Sequence, residues 1–132
     1  MEEFIMTDSR FFYCEHCGKV IELIGGCQGC PTICCGEPMK ELVANVTDGA
    51  TEKHVPDVTI DGNTVKVQVG SVMHPMTEAH SIMFVELITD KAHHRVDFKP
   101  GDAPVATFDI EGEKPLKVYE FCNLHGLWVK EL

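Results

Sequence analysis

The sequence predicts an all-β protein in two parts, a very small cysteine-rich module followed by a compact antiparallel β domain. Three observations lead there. Six of the seven cysteines (Cys14, Cys17, Cys27, Cys30, Cys34 and Cys35) crowd into residues 14–35, while Cys122 stands alone in the remainder. Downstream, apolar side chains recur with a period of two, as in Val65, Val67 and Val69 alternating with Lys66 and Gln68. Turn signals separate these runs at short intervals and no segment has a clear helical period, which is the pattern of an antiparallel sandwich or barrel.

The first forty residues are too few to bury a core of their own and need a metal or disulfides. Cys14-Glu15-His16-Cys17-Gly18 is a CxxC turn closed by glycine, and Cys34-Cys35-Gly36 is a second pair closed the same way. A glycine after the second cysteine lets the backbone turn tightly enough for its amides to approach the sulfurs. Four thiolates from two such loops suit tetrahedral zinc or iron, and the spacing does not choose between them. The adjacent pair departs from an ordinary zinc ribbon, because neighbouring cysteines share one metal only in a turn. Cys27-Gln28-Gly29-Cys30 is a further CxxC in a glycine-rich loop. It reads as an insertion with two free or disulfide-linked thiols, or as a ligand or redox-active pair. His16 is expected as an exposed turn residue.

A change of composition near residues 41–45, from cysteine and glycine to valine-rich alternation, marks the boundary. Strands are expected around Val65–Val69, Val105–Ile110 and Leu116–Phe121. The turns between them are Asp61-Gly62-Asn63, Lys99-Pro100-Gly101-Asp102 and Glu111-Gly112-Glu113-Lys114-Pro115. In Val72-Met73-His74-Pro75, proline is expected to end a strand, with the next strand beginning at His80.

Cys122-Asn123-Leu124-His125-Gly126-Leu127-Trp128 places a thiol three residues before an imidazole, at the end of an alternating run. Both side chains can reach one point, but two ligands do not complete a coordination sphere. The further candidates are His54, His74 and His80, each beside a proline or a polar turn. Each taken singly has an ordinary reading as a surface or core histidine; four histidines and a cysteine, all at turns, point to a metal. His93 and His94 precede a strand on a solvated hairpin and are read as non-ligands.

The net charge of −10 leaves no basic surplus to neutralise phosphates, which argues against nucleic acid as a partner. Ile82-Met83-Phe84-Val85 is the longest apolar run and falls far short of the roughly 20 residues of a membrane span. Acids occupy the N-terminus where a signal peptide has bases. The expectation is a soluble cytoplasmic protein in a reducing compartment, where CxxC pairs more often bind metal than form disulfides.

The ordered set Cys14-x2-Cys17, Cys34-Cys35-Gly36, Glu52-Lys53-His54-Val55-Pro56, Met73-His74-Pro75-Met76, Glu78-Ala79-His80 and Cys122-Asn123-Leu124-His125-Gly126-Leu127-Trp128 resembles desulfoferrodoxin, the two-iron superoxide reductase, over nearly the whole chain. Cys27 and Cys30 depart from that family's pattern. The resemblance implies a desulforedoxin-like module over residues 1–42, with iron on Cys14, Cys17, Cys34 and Cys35. It implies an immunoglobulin-like antiparallel β-sandwich over residues 43–132, with a second iron held by His54, His74, His80 and His125 in a plane and Cys122 on the axis.

The activity implied is one-electron reduction of superoxide to hydrogen peroxide. A rubredoxin-like protein is the implied donor, the first iron an electron relay or store, and the assembly a homodimer. Four imidazoles and a thiolate leave one face of an octahedral iron open to a small anion. Lys53 is the implied electrostatic guide for superoxide and orders a water that delivers a proton; Glu52 is the implied sixth ligand in the oxidised resting state. Two other readings of the residues stand beside this one. One is a non-catalytic iron electron carrier, the other a zinc-ribbon module fused to a β-sandwich that binds a partner.

Overall fold

The computed structural model describes residues 9–26, 29–46 and 54–132. Glu52, Lys53 and Cys27 lie outside the described residues. The chain groups into two compact units, Met1–Val43 and Ala44–Leu132, and twelve β-strands lie among the described residues. No helix among those residues is long and apolar enough to cross a membrane.

The first unit contains β1 (Phe11–Tyr13), β2 (Val20–Glu22), β3 (Ile33–Cys34), β4 (Glu37–Pro38) and β5 (Lys40–Glu41). Strands β2, β1 and β5 form one antiparallel sheet and β3 and β4 a separate hairpin. Among its described residues the buried apolar side chains are few, Phe11, Cys14 and Met39. Arg10 donates to both carboxylate oxygens of Glu41, at 2.8 and 2.9 Å, and its guanidinium lies over the Phe12 ring. A bidentate pair of this kind adds geometric definition where hydrophobic area is short.

The second unit contains β6 (Pro56–Asp61), β7 (Thr64–Val69), β8 (Ile82–Thr89), β9 (His93–Asp97), β10 (Val105–Asp109), β11 (Pro115–Cys122) and β12 (Gly126–Glu131). They make a three-stranded sheet ordered β10-β7-β6 and a four-stranded sheet ordered β12-β11-β8-β9, all pairs antiparallel. Val65, Val67 and Val69 of β7, with Ala106 and Phe108 of β10, pack against Ile82, Val85 and Leu87 of β8 and Val118 and Cys122 of β11. Two sheets facing across one core are a β-sandwich. Fully burying an aliphatic side chain contributes about 1.5–3 kcal/mol, so this shared layer dominates the unit's stability.

Two local expectations need correction. His74 does not close a strand: β7 ends at Val69, where Gly70 takes a φ of 78°, and β8 starts at Ile82 rather than at His80. Both histidines therefore sit in one connection, held by turns instead of a ladder. His93 and His94 do not precede a strand on a solvated hairpin but belong to β9 itself, and His94 is partly buried. Its Nε2 lies 2.9 Å from Glu113, and its ring lies 6.1 Å from that of Phe108.

Candidate metal centres

In the first unit, Cys14 and Cys17 lie on the turn after β1, and Cys34 and Cys35 on the β3–β4 hairpin. Cys34 pairs with Glu37, so the connection is the two residues Cys35-Gly36, with φ values of 53° and 80°. Positive φ at both positions is the signature of a type I′ turn, whose twist matches that of the flanking strands. That turn is what lets adjacent cysteines serve one centre, and Cys35 takes the left-handed conformation without being glycine. One ligand atom from each of Cys14, Cys17, Cys34 and Cys35 lies within 4.8 Å of the others. Cys17 Sγ is 3.6 Å from Cys34 Sγ, which is 4.0 Å from Cys35 Sγ. A tetrahedron with metal–sulfur bonds of about 2.3 Å has sulfurs about 3.8 Å apart, so the set fits a metal.

The electrostatics agree with that fit. The Cys14 thiol is lowered to about 6, first by the backbone N–H of Cys17, with burial opposing and the His16 N–H assisting. Cys34 is pushed up to about 12, first by its sulfur contacts with Cys14 and Cys17 and then by burial. Sulfurs this close do not all ionise without a cation between them. Around the centre, His16 Nε2 lies 2.9 Å from Glu37, and the Lys40 ammonium donates to Glu15 at 2.6 Å. His16 is exposed, as expected. Cys30 is an exposed thiol outside the cluster of four.

In the second unit, antiparallel pairing brings the start of β6, the end of β7, the start of β8 and the β11–β12 turn to one end of the sandwich. His54 lies two residues before the start of β6, His74 and His80 lie between β7 and β8, Cys122 ends β11 and His125 sits in the turn before β12. One ligand atom from each of these five lies within 4.8 Å of the rest. The rings form a circuit, His54 to His74 4.7 Å, His74 to His80 4.6 Å, His80 to His125 5.0 Å and His125 to His54 4.6 Å, each pair edge-on. His54 and His80 face each other across it at 6.3 Å. The Nε2 atoms of His54 and His74 are 3.1 Å apart; two imidazoles at right angles on a metal about 2.1 Å away stand about 3 Å apart. Cys122 Sγ lies 3.8 Å from His125 Nδ1.

Four of the five candidate ligands are held by contacts with their surroundings. His74 Nδ1 lies 2.7 Å from the Pro75 carbonyl, so Nδ1–H donates and Nε2 keeps its lone pair for a metal. Burial lowers His74 to about 4, which keeps it neutral. Trp128 stacks on His54 at 5.0 Å and 23°, and its Nε1–H donates to the His125 carbonyl at 3.1 Å. Cys122 is fully buried in the core; burial raises its thiol, and the backbone N–H groups of His125 and Leu124 pull it down. A register irregularity between Phe121 and Cys122 sets Phe121 opposite Phe84 but Cys122 opposite Ile82, passing over Met83. Such a bulge re-aims a side chain. Gly126, at φ 82°, closes the turn that returns His125 beside Cys122.

Sequence reasoning did not single out Trp128, Asn123 or Glu120. Glu120 is fully buried two residues before Cys122, with neither carboxylate oxygen hydrogen-bonded, and burial pushes its carboxyl well above the usual range. An acid on the core face of an otherwise apolar run was the available signal.

A tetrathiolate set on one unit and a set of four imidazoles and a buried thiolate at the end of a β-sandwich define a two-centre metalloprotein. The chain belongs to the desulfoferrodoxin family, whose model matches residues 46–131. It is 46% identical over 122 residues to the desulfoferrodoxin of Nitratidesulfovibrio vulgaris, covering 92% of this chain and 95% of that one. Identity to the desulfoferrodoxin of Syntrophotalea carbinolica is 47% over 121 residues, 91% and 94% of the two chains. Among solved structures, the superoxide reductase from Treponema pallidum superposes with a TM-score of 0.81 at 35% identity, covering 94% of this chain and 99% of that one. The 1Fe superoxide reductase from Giardia intestinalis matches 61% of this chain and 99% of its own, with a TM-score of 0.50 and 37% identity. Both centres are consistent with iron sites.

Proposed function

We propose that this protein is a superoxide reductase in which His54, His74, His80, His125 and Cys122 hold the reacting iron and Cys14, Cys17, Cys34 and Cys35 hold a second one. The observation that carries the reading is the circuit of four imidazoles with a buried thiolate beside it. When bound there, iron supplies one electron to superoxide, which with two protons becomes hydrogen peroxide. The imidazoles bind as neutral donors, and His74 is already held neutral by burial. The thiolate of Cys122, stabilised by two backbone N–H groups, would raise electron density on a bound iron and favour its oxidation.

Lys53, adjacent to His54, attracts the anion and orders a water that delivers a proton; Glu52 would offer a further carboxylate to a bound iron in its oxidised state. A local cation is needed because the chain carries a net charge of −10, and at a Debye length of about 8 Å a nearby lysine outweighs distant carboxylates. Residues 1–42 serve as the tetrathiolate module and 43–132 as the reductase domain. Electrons arrive from a rubredoxin-like donor, Cys14, Cys17, Cys34 and Cys35 would hold an iron able to relay or store them, and the protein works as a cytoplasmic homodimer.

Iron and zinc per chain, measured in protein purified without air, test the assignment together with superoxide kinetics. Two irons, little zinc and rapid second-order loss of superoxide are expected, and Cys122→Ser is expected to lose the thiolate-to-iron(III) absorption band and most of the activity. Zinc on the four thiolates with no second metal would replace this reading with a binding module.

A further inference from the structure

We propose that Asn123 is a positioning residue that sets the place of the His80 imidazole relative to the Cys122 thiolate. This rests on the reading of His80 and Cys122 as ligands. The Asn123 carboxamide spans His80: Oδ1 accepts from the Ser81 N–H at 3.0 Å, and Nδ2 donates to the Ala79 carbonyl at 3.0 Å. The main-chain N–H of Asn123 donates to the Ser81 carbonyl at 3.2 Å. Three hydrogen bonds from the residue following Cys122 thus grip both neighbours of His80.

The His80 backbone is bound into a turn of its own. Its N–H donates to the Thr77 carbonyl at 3.2 Å and to Thr77 Oγ1 at 3.1 Å, and its carbonyl accepts from the Thr77 N–H at 2.9 Å and from the Thr77 hydroxyl at 3.2 Å. These four bonds make residues 77–80 a closed unit, and they leave the direction in which that unit points undetermined. The β8–β11 ladder does not fix the direction either. It ends at the Ile82–Cys122 pair, immediately after a register irregularity. Asn123 continues the contact past that end and joins the turn carrying His80 to the strand carrying Cys122.

Asparagine suits this task because a carboxamide offers a donor and an acceptor on one short, planar group. Aspartate keeps an acceptor for the Ser81 N–H but turns a second oxygen toward the Ala79 carbonyl. Alanine loses both side-chain bonds and keeps the main-chain one. The residue is half-buried, so water competes for the freed groups and the turn is released instead of collapsing.

The test uses the full chain loaded with iron at both centres, comparing wild type with Asn123→Ala and Asn123→Asp. Partners that orient ligands typically contribute 10–100-fold in metal affinity. Asn123→Ala is accordingly expected to lower the affinity of the histidine-cysteine centre for iron about 10–100-fold, measured by competition with a chelator. It is also expected to shift the thiolate-to-iron(III) absorption band, with Asn123→Asp intermediate in both. The tetrathiolate spectrum of the same sample reports that the chain has folded. A role confined to fold stability would lower the melting temperature and leave the band unmoved, and an unmoved band with wild-type affinity in both variants overturns the proposal. Wild-type protein that lacks the thiolate band at its second iron overturns the ligand reading, and the inference with it.

Discussion

His74 and Trp128 show how single residues prepare the larger centre. The Pro75 carbonyl accepts a hydrogen bond from His74 Nδ1–H, and one indole both stacks on His54 and donates to the carbonyl of His125. These contacts limit ring rotation before any metal arrives, which lowers the entropic cost of ordering the ligands. The same preparation leaves charge to be supplied from outside the ligand set. Lys53 is the group proposed for that task, so Lys53→Met is expected to slow second-order reaction with superoxide about 10-fold while leaving the absorption spectrum in place. The wild-type rate should fall with added salt more steeply than the variant's, because the anion is steered by a charge the variant lacks. Stopped-flow kinetics over a range of ionic strength measure both.

Among the elements, the β8–β9 hairpin and the loop entering β11 are tied together at a distance in sequence from every proposed ligand. Glu113 accepts from the Thr89 hydroxyl at 2.6 Å and from His94 Nε2–H at 2.9 Å. The Thr89 hydroxyl oxygen also accepts from the N–H groups of Lys91 and Ala92. Hydrogen bonds from Thr89, then from His94, hold the Glu113 carboxyl below its ordinary range. A carboxylate lowered in the fold contributes stability that is present above its unfolded value, about 4.3, and is lost as pH falls through that value toward the lower folded one. Glu113→Gln is therefore expected to melt a few degrees lower at neutral pH and to lose less on acidification, and thermal unfolding across pH 3–7 should show the two curves converging at the acid end. Turn signals on either side of Glu113 were legible in the sequence. Its partners were not, because Thr89 and His94 reach it only through the register of β8 against β9 and β11.

At the scale of the whole molecule, two metal centres sit on two units with different ways of holding ligands. The first relies on turns, with few buried apolar side chains, and its four sulfurs converge through a CxxC turn and a two-residue hairpin. The second relies on a sandwich whose sheet ends present ligands from widely separated parts of the chain. Centres built independently should fail independently. Cys14→Ser is expected to change the tetrathiolate spectrum and weaken iron retention there, while superoxide reduction at the second iron continues when a donor reaches it directly. Loss of superoxide reduction in a Cys14→Ser protein that keeps its second iron would instead mean that electrons must pass through the first.

The sequence by itself supplied the candidate ligands and predicted the fold class. Cysteine spacing within one short segment points to a thiolate metal site because the candidate ligands are local, and period-two alternation names strands because a pleat repeats every two residues. Local chemistry also made the Cys122–His125 claw legible. What only the tertiary structure decided is which distant groups meet and how each is aimed. His54, His74 and His80 reach Cys122 through antiparallel pairing that no local pattern encodes, and the irregularity that sets Cys122 opposite Ile82 is a property of two strands together. The burial of Glu120 and the grip of Asn123 on Ala79 and Ser81 belong to the same class. A side chain's type is written in one residue, whereas its partner depends on register, and register is settled by the packing of the whole sandwich.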